Sequence, residues 1–136
     1  MNILDTPLIY FLISALIQVE SEGKLDAFNE KENAIGCLQI RPIYIQDLNR
    51  FSSNTYTHSD MYDRNNAIDA CVTYLRYYGN QIKRIELREP TFEDLARIHN
   101  GGELGYCRES TVEYWDKVKK ELDLILLENE KVISSF

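Results

Sequence analysis

At 136 residues, with 44% apolar and 27% charged side chains, the chain has enough material for one hydrophobic core without metal or disulfide staples, and it shows no repeat or low-complexity tract. Its formal charge of −7 argues against nucleic acid as a partner and against simple electrostatic adhesion to anionic cell walls. Cys37, Cys71 and Cys107 include no CxxC and cannot all pair within one molecule, and His58 and His99 are not spaced with them as metal ligands. Reduced thiols, no metal and no cofactor are therefore expected.

Thr6-Pro7 predicts a helix start, with Thr6 as N-cap and Pro7 at the first helical position. Leu8, Ile9, Leu12, Ile13, Leu16 and Ile17 follow at helical spacing, widened by Phe11 and Val19, as in a buried central helix. The run is too short to span a bilayer, so no membrane insertion is expected. It also lacks a basic leading segment, follows Asp5 and has no small-residue cleavage site, so no signal peptide is read and synthesis in a cytoplasm is expected. The helix should end near Ser21 to Gly23, placing Glu20 in its last turn.

Residues 24–40 read as irregular, with room for a short hairpin, and close on Gly36. Pro42 opens a second helix to about Arg50, and Ser52 to Asp60 reads as a mobile surface loop. Asp63 caps a third helix with Ala67, Ile68, Cys71, Val72, Leu75 and Tyr78 inside; Gly79 is expected to interrupt or end it. Thr91 to Asp94 resembles a capping box for a fourth helix that stops at Asn100-Gly101-Gly102. Ser110 to Glu113 is a second box, opening a last helix with Tyr114, Trp115, Val118, Leu122, Ile125 and Leu126 on its apolar face. The expected fold is mainly α: one domain, residues 1–136, of about five helices.

Glu20 is the candidate for the chemistry, against the plainer account of a solvated glutamate set unfavourably at a helix C-terminus. An acid at the lip of an apolar core sits where desolvation disfavours its charged form, and a neutral carboxyl can give a proton to a glycosidic oxygen. Val19-Glu20-Ser21, with Ala34-Ile35-Gly36-Cys37-Leu38-Gln39-Ile40, resembles the catalytic segment of the lysozyme-like superfamily, in particular lytic transglycosylases. Asp63 to Leu75 is similar to the family's Asp-Pro-x-x-Asn-Ile stretch, with Arg64 where proline is usual. Leu95 to Gly102 is similar to its Ala-x-x-Tyr-Asn-x-Gly element, with His99 in place of tyrosine. Ala96 to Gly102, then Gly105, Cys107, Thr111, Tyr114-Trp115 and Lys117-Val118, resembles invertebrate-type lysozymes, and Gly-Cys-Leu-Gln-Ile resembles small phage-associated lysozyme-like proteins.

The resemblance implies a cleft walled by the end of the first helix, the Gly36–Gln39 turn and Asn100-Gly101-Gly102. It implies Glu20 as general acid and then base, with peptidoglycan strands as partner and chitin as a lesser candidate. Ser21 would orient the carboxylate or bind an acetamido group, Gln39 would hydrogen-bond the substrate or the acid, and Tyr114 would reach the carboxyl. Asn100 and Gly101 would contact the sugar. Each has a plainer account: Ser21 satisfies a frayed helix end, Gln39 pins its loop, Asn100 and Gly101 form a helix C-cap, and Tyr114 is core. His99 reads as a satisfied core or supporting histidine rather than a base.

Glu30 and Glu32 are candidates for a second acid, with Asp47 and Asp60 weaker, so hydrolysis and anhydro-forming transglycosylation both stay open. The nine tyrosines suit either sugar stacking or half-buried packing. Two other readings compete: a cysteine peptidase, if Cys37 meets His99, and a glycan-binding or virion structural protein without activity. Action at the bacterial wall after release or delivery, including by a phage, follows from the resemblance; the oligomeric state is left open.

Overall fold

The computed structural model describes residues 2–130. Among them are five α-helices: α1 (Leu8–Ser21), α2 (Pro42–Asn49), α3 (Arg64–Glu86), α4 (Phe92–Gly101) and α5 (Val112–Glu128). One two-stranded hairpin joins them, β1 (Phe28–Asn29) with β2 (Ala34–Ile35), antiparallel, Phe28 opposite Ile35. The architecture is mainly α, as the apolar spacing predicts.

α1 is central. Ile9, Leu12, Ala15 and Leu16 are fully buried, and the helix packs against α3, α4 and α5. Burying each of the leucine and isoleucine side chains contributes roughly 2 kcal/mol before entropy is counted, which fixes the helix that carries Glu20. It begins one residue later than the Thr6 cap predicts, with Pro7 at the N-cap, although the Thr6 hydroxyl still accepts from Leu8 N–H at 3.3 Å. Glu22 (φ 54) and Gly23 (φ 86) turn the chain out of it.

The hairpin region ends in a tight turn. Ile35 and Ile40 exchange backbone hydrogen bonds of 3.1 and 3.0 Å around residues 36–39. Gly36 has φ +78, and a Cβ there would lie 2.0 Å from the Met61 carbonyl oxygen, so only glycine fits. Gln39 also has positive φ (52°) and is held by its own amide, which donates to Gly36 O at 3.0 Å and Ala27 O at 3.2 Å.

Three expectations are corrected. Gly79 does not break α3, because Leu4 and Leu95 press so close that a Cβ would lie 2.9 Å from Leu4 and 3.2 Å from Leu95, and the helix runs on to Glu86. Ser110 does not cap α5: Thr111 takes the N-cap place without a side-chain cap, its hydroxyl lying 2.7 Å from Gly105 O and accepting from Arg97 Nε at 2.8 Å. The 52–60 loop is tied down, since Asn49 clamps the Tyr56 backbone at 2.8 and 3.0 Å and Thr57 with Asp60 caps a 3-10 turn over His58–Tyr62. The Thr91–Asp94 box forms as read, at 3.1 and 2.8 Å.

Candidate active site

Glu20 sits in the last turn of α1 with its side chain 19% exposed. Tyr114 of α5 donates its hydroxyl to Glu20 Oε2 at 3.0 Å, and His99 of α4 places Nε2 3.3 Å from the same oxygen. Both contacts fall on Oε2, Oε1 accepts no hydrogen bond among the described residues, and Glu20 lines a pocket with Gln39, Arg41 and Asn100. Burial, reinforced by the Glu20 charge, holds the Tyr114 phenol well above its ordinary range, so it stays a donor.

His99 is buried and every ring nitrogen is engaged. Nε2 lies 3.1 Å from Leu38 O as well as near Glu20, so it carries a hydrogen. Nδ1 faces the Tyr44 hydroxyl at 3.1 Å and Cys71 Sγ at 3.6 Å. Burial pushes the imidazole down, but Cys71 and Glu20 beside it outweigh burial and raise it to about 10.

Ser21 is buried, its hydroxyl 2.8 Å from Cys37 O and 3.2 Å from Ile17 O, where it locks the 36–39 turn onto the end of α1. Gln39 lines the Glu20 pocket while its amide nitrogen pins the loop. Asn100 lines the same pocket, and its carbonyl accepts from Arg41 Nη2 at 3.3 Å. Gly101 lies one step away on an adjoining pocket; a Cβ there would meet Thr111 Cγ2 at 2.6 Å, so helix packing also calls for glycine.

Three pockets adjoin. A pocket of about 390 Å³ beside Lys24 and Phe28 shares Glu20 and Gln39 with a polar pocket of about 150 Å³. The latter shares Arg41 and Tyr44 with a third of about 350 Å³ lined by Tyr74, Gly101 and Gly102. Together they form an extended groove passing Glu20, a shape suited to a polymer.

Glu32 lines the Glu20 pocket and Glu30 does not. Asp47 is bound by Tyr78 and Arg50, and Asp60 is spent on the Thr57 cap. The Cys37–His99 meeting needed for a cysteine nucleophile is not made: the thiol facing His99 is Cys71, and both Cys37 and Cys71 are buried and unpaired. Burial also pushes the Cys37 thiol up, away from the reactive thiolate. Among the described residues no cluster of His, Cys, Asp and Glu could hold a metal ion, and no helix is long and apolar enough to cross a membrane. The tyrosines divide: Tyr44 and Tyr74 stack at 3.8 Å and both line the groove, while Tyr78 packs edge-on against Tyr74 at 4.9 Å.

Sequence reasoning missed Arg41, Tyr44 and Cys71 as neighbours of the site. Only the Arg41 position, directly after Gly-Cys-Leu-Gln-Ile, carried a local signal.

No curated protein matches the chain. Among solved structures it is similar to a chain of the crystal structure of Aeromonas hydrophila PliI in complex with Meretrix lusoria lysozyme, at 25% identity and TM-score 0.64, over 81% of this chain and 87% of that one. The family model described as "Transglycosylase SLT domain" matches residues 7–92, which takes in α1 with Glu20, the 36–39 turn and α3. With more than half its length matched, and with a lysozyme-like, mainly α fold, the chain belongs to the transglycosylase SLT domain family.

Proposed function

We propose that the protein is a peptidoglycan-cleaving enzyme that breaks the β-1,4 bond between N-acetylmuramic acid and N-acetylglucosamine, with Glu20 as its acid and base. The observation that carries this reading is the fixed Glu20 carboxyl on a polar pocket: Tyr114 and His99 anchor Oε2, and Oε1 has no hydrogen-bond partner among the described residues. A carboxyl pinned on one oxygen presents its proton on the other in a defined direction, and positioning of this kind lowers the barrier.

In the reaction, Glu20 gives a proton to the bridging oxygen as the bond from that oxygen to muramic C1 breaks. The resulting carboxylate takes the proton of the muramic 6-hydroxyl as O6 bonds to C1, which leaves a 1,6-anhydro end and restores the acid. No water is consumed and no second carboxylate is needed. Family membership supports this route. The presence of Glu32 on the same pocket favours a second reading, hydrolysis with Glu32 activating water. Site of action at the bacterial wall, contacts of Ser21, Gln39, Asn100, Gly101 and Tyr114 with sugar, and organisation as one domain belong to the same proposal.

Mass spectrometry of muropeptides released from purified sacculi tests it. Wild type should release anhydro-muramyl products, and Glu20→Gln should reduce release at least about 100-fold. Reducing-end products that depend on Glu32 would select hydrolysis. No release by wild type, on sacculi digested by a control lysozyme, would point to a glycan-binding protein without activity.

A further inference from the structure

A guanidinium held partly buried without a direct ion pair is costly, and in a chain with 22 acidic residues it is unexpected. Arg41 is such a group. The Ile35–Ile40 bridge precedes it and Pro42 opens α2 directly after it, so its backbone is fixed in an extended conformation (φ −93, ψ 159). It is partly buried and lines both the Glu20 pocket and the adjoining pocket of Tyr74 and Gly102. It forms no ion pair among the described residues, although Glu20 and Glu32 line the one pocket and Asp47 and Glu103 the other. Arg50, on the same groove, is neutralised by Asp47.

A structural task accounts for only part of this. The Nη2 bond to Asn100 O, at 3.3 Å, satisfies a carbonyl at the C-terminal end of α4. It uses one of five N–H donors, and the rest of the fork remains at the junction of two pockets. A fork of this shape is matched by a carboxylate. Neutral N-acetylglucosamine polymers offer none. Muramic acid does, through its lactyl group or through the peptide attached to that group.

We propose that Arg41 is a specificity-determining residue that binds a carboxylate borne by muramic acid, lactyl or stem-peptide, beside the scissile bond. This rests on the reading of the protein as peptidoglycan-cleaving.

The test is calorimetric binding of three tetrasaccharides to Glu20→Gln protein, which traps uncleaved ligand, with and without Arg41→Gln or Arg41→Lys. The ligands are chitotetraose, a muramic-acid-containing tetrasaccharide with free lactyl carboxylates, and the same sugar carrying stem peptides. With Arg41 present, at least one carboxylate-bearing ligand should bind about 10-fold tighter than chitotetraose. Arg41→Gln should remove most of that gap while leaving chitotetraose affinity within about twofold, and Arg41→Lys should restore part of it. Loss confined to the peptide-free ligand identifies the lactyl group, and loss confined to the peptide-bearing ligand identifies the stem. Equal weakening of all three ligands would show that Arg41 only braces α4 and would overturn the proposal. So would equal affinities with Arg41 intact, including no binding at all. Wild-type release of muropeptides from sacculi, run alongside, tells that failure from failure of the enzymatic reading.

Discussion

The buried imidazole at the site gives a sharp expectation about stability. Glu20 of α1, Tyr44 of α2 and Cys71 of α3 surround His99, which is only 4% exposed, and Tyr114 of α5 shares Glu20 Oε2 with it. Burial lowers its proton affinity, while Cys71 and Glu20 raise it from an ordinary 6.5 to about 10. Between those values the folded chain holds a proton that the unfolded chain has lost. The stabilisation is therefore complete below pH 6.5 and is lost as pH rises through about 10.

One proton of difference gives a slope on the order of 1 kcal/mol per pH unit. From pH 6.5 to 8.5 the wild type should lose roughly 2 kcal/mol, equivalent to roughly 6–10 °C in Tm for a domain of this size. Cys37, raised by burial above its ordinary 9.0, adds a slope of the same sign only beyond this window. Asp94 acts at the acid end: burial opposes its charge, but the Arg88 fork and the Thr91 cap hold it below its ordinary range. His99→Gln keeps an N–H donor for Glu20 and Leu38 O but cannot titrate, so its profile should be flat across the window. Urea denaturation midpoints at half-unit steps read the difference. A flat wild-type profile would refute a net proton gained at the His99 cluster on folding, since a neutral ring with hydrogen on Nε2 satisfies the same contacts; an unchanged slope in His99→Gln would assign the effect to another group.

Tyr114→Phe keeps the ring and removes the donor to Glu20, so kcat on sacculi should fall about 10- to 100-fold with KM little changed, read from initial rates of muropeptide release. Gly36→Ala forces a Cβ to 2.0 Å from Met61 O at φ +78 and should destabilise the fold by about 2–5 kcal/mol in chemical denaturation.

Much of the scaffold was legible in the chain because its signals are local. The apolar positions of α1, Thr91 with Asp94, Pro42, and Gly102 at the end of α4 act through neighbours a few residues away, and periodicity or cap chemistry exposes them. The resemblance around Glu20 and the 36–39 turn pointed to the family that the chain belongs to. Local patterns misled where distant packing decided the outcome. Gly79 reads as a break until Leu4 and Leu95 are seen pressed against it, and Ser110 reads as a cap until Thr111 is seen tied to Arg97 and Gly105.

The site itself is a product of tertiary structure. Tyr114 reaches Glu20 across 94 positions, and Arg41 reaches Asn100 across 59. Cys71 rather than Cys37 meets His99, although Cys37 sits in the turn closest to Glu20 in sequence. The order of residues determined which segments become helices, and where an acid stands at a helix end. Which side chains surround that acid was decided only when α1, α3, α4 and α5 buried their apolar faces together, because burial fixes helix orientation and orientation fixes which polar groups share a pocket.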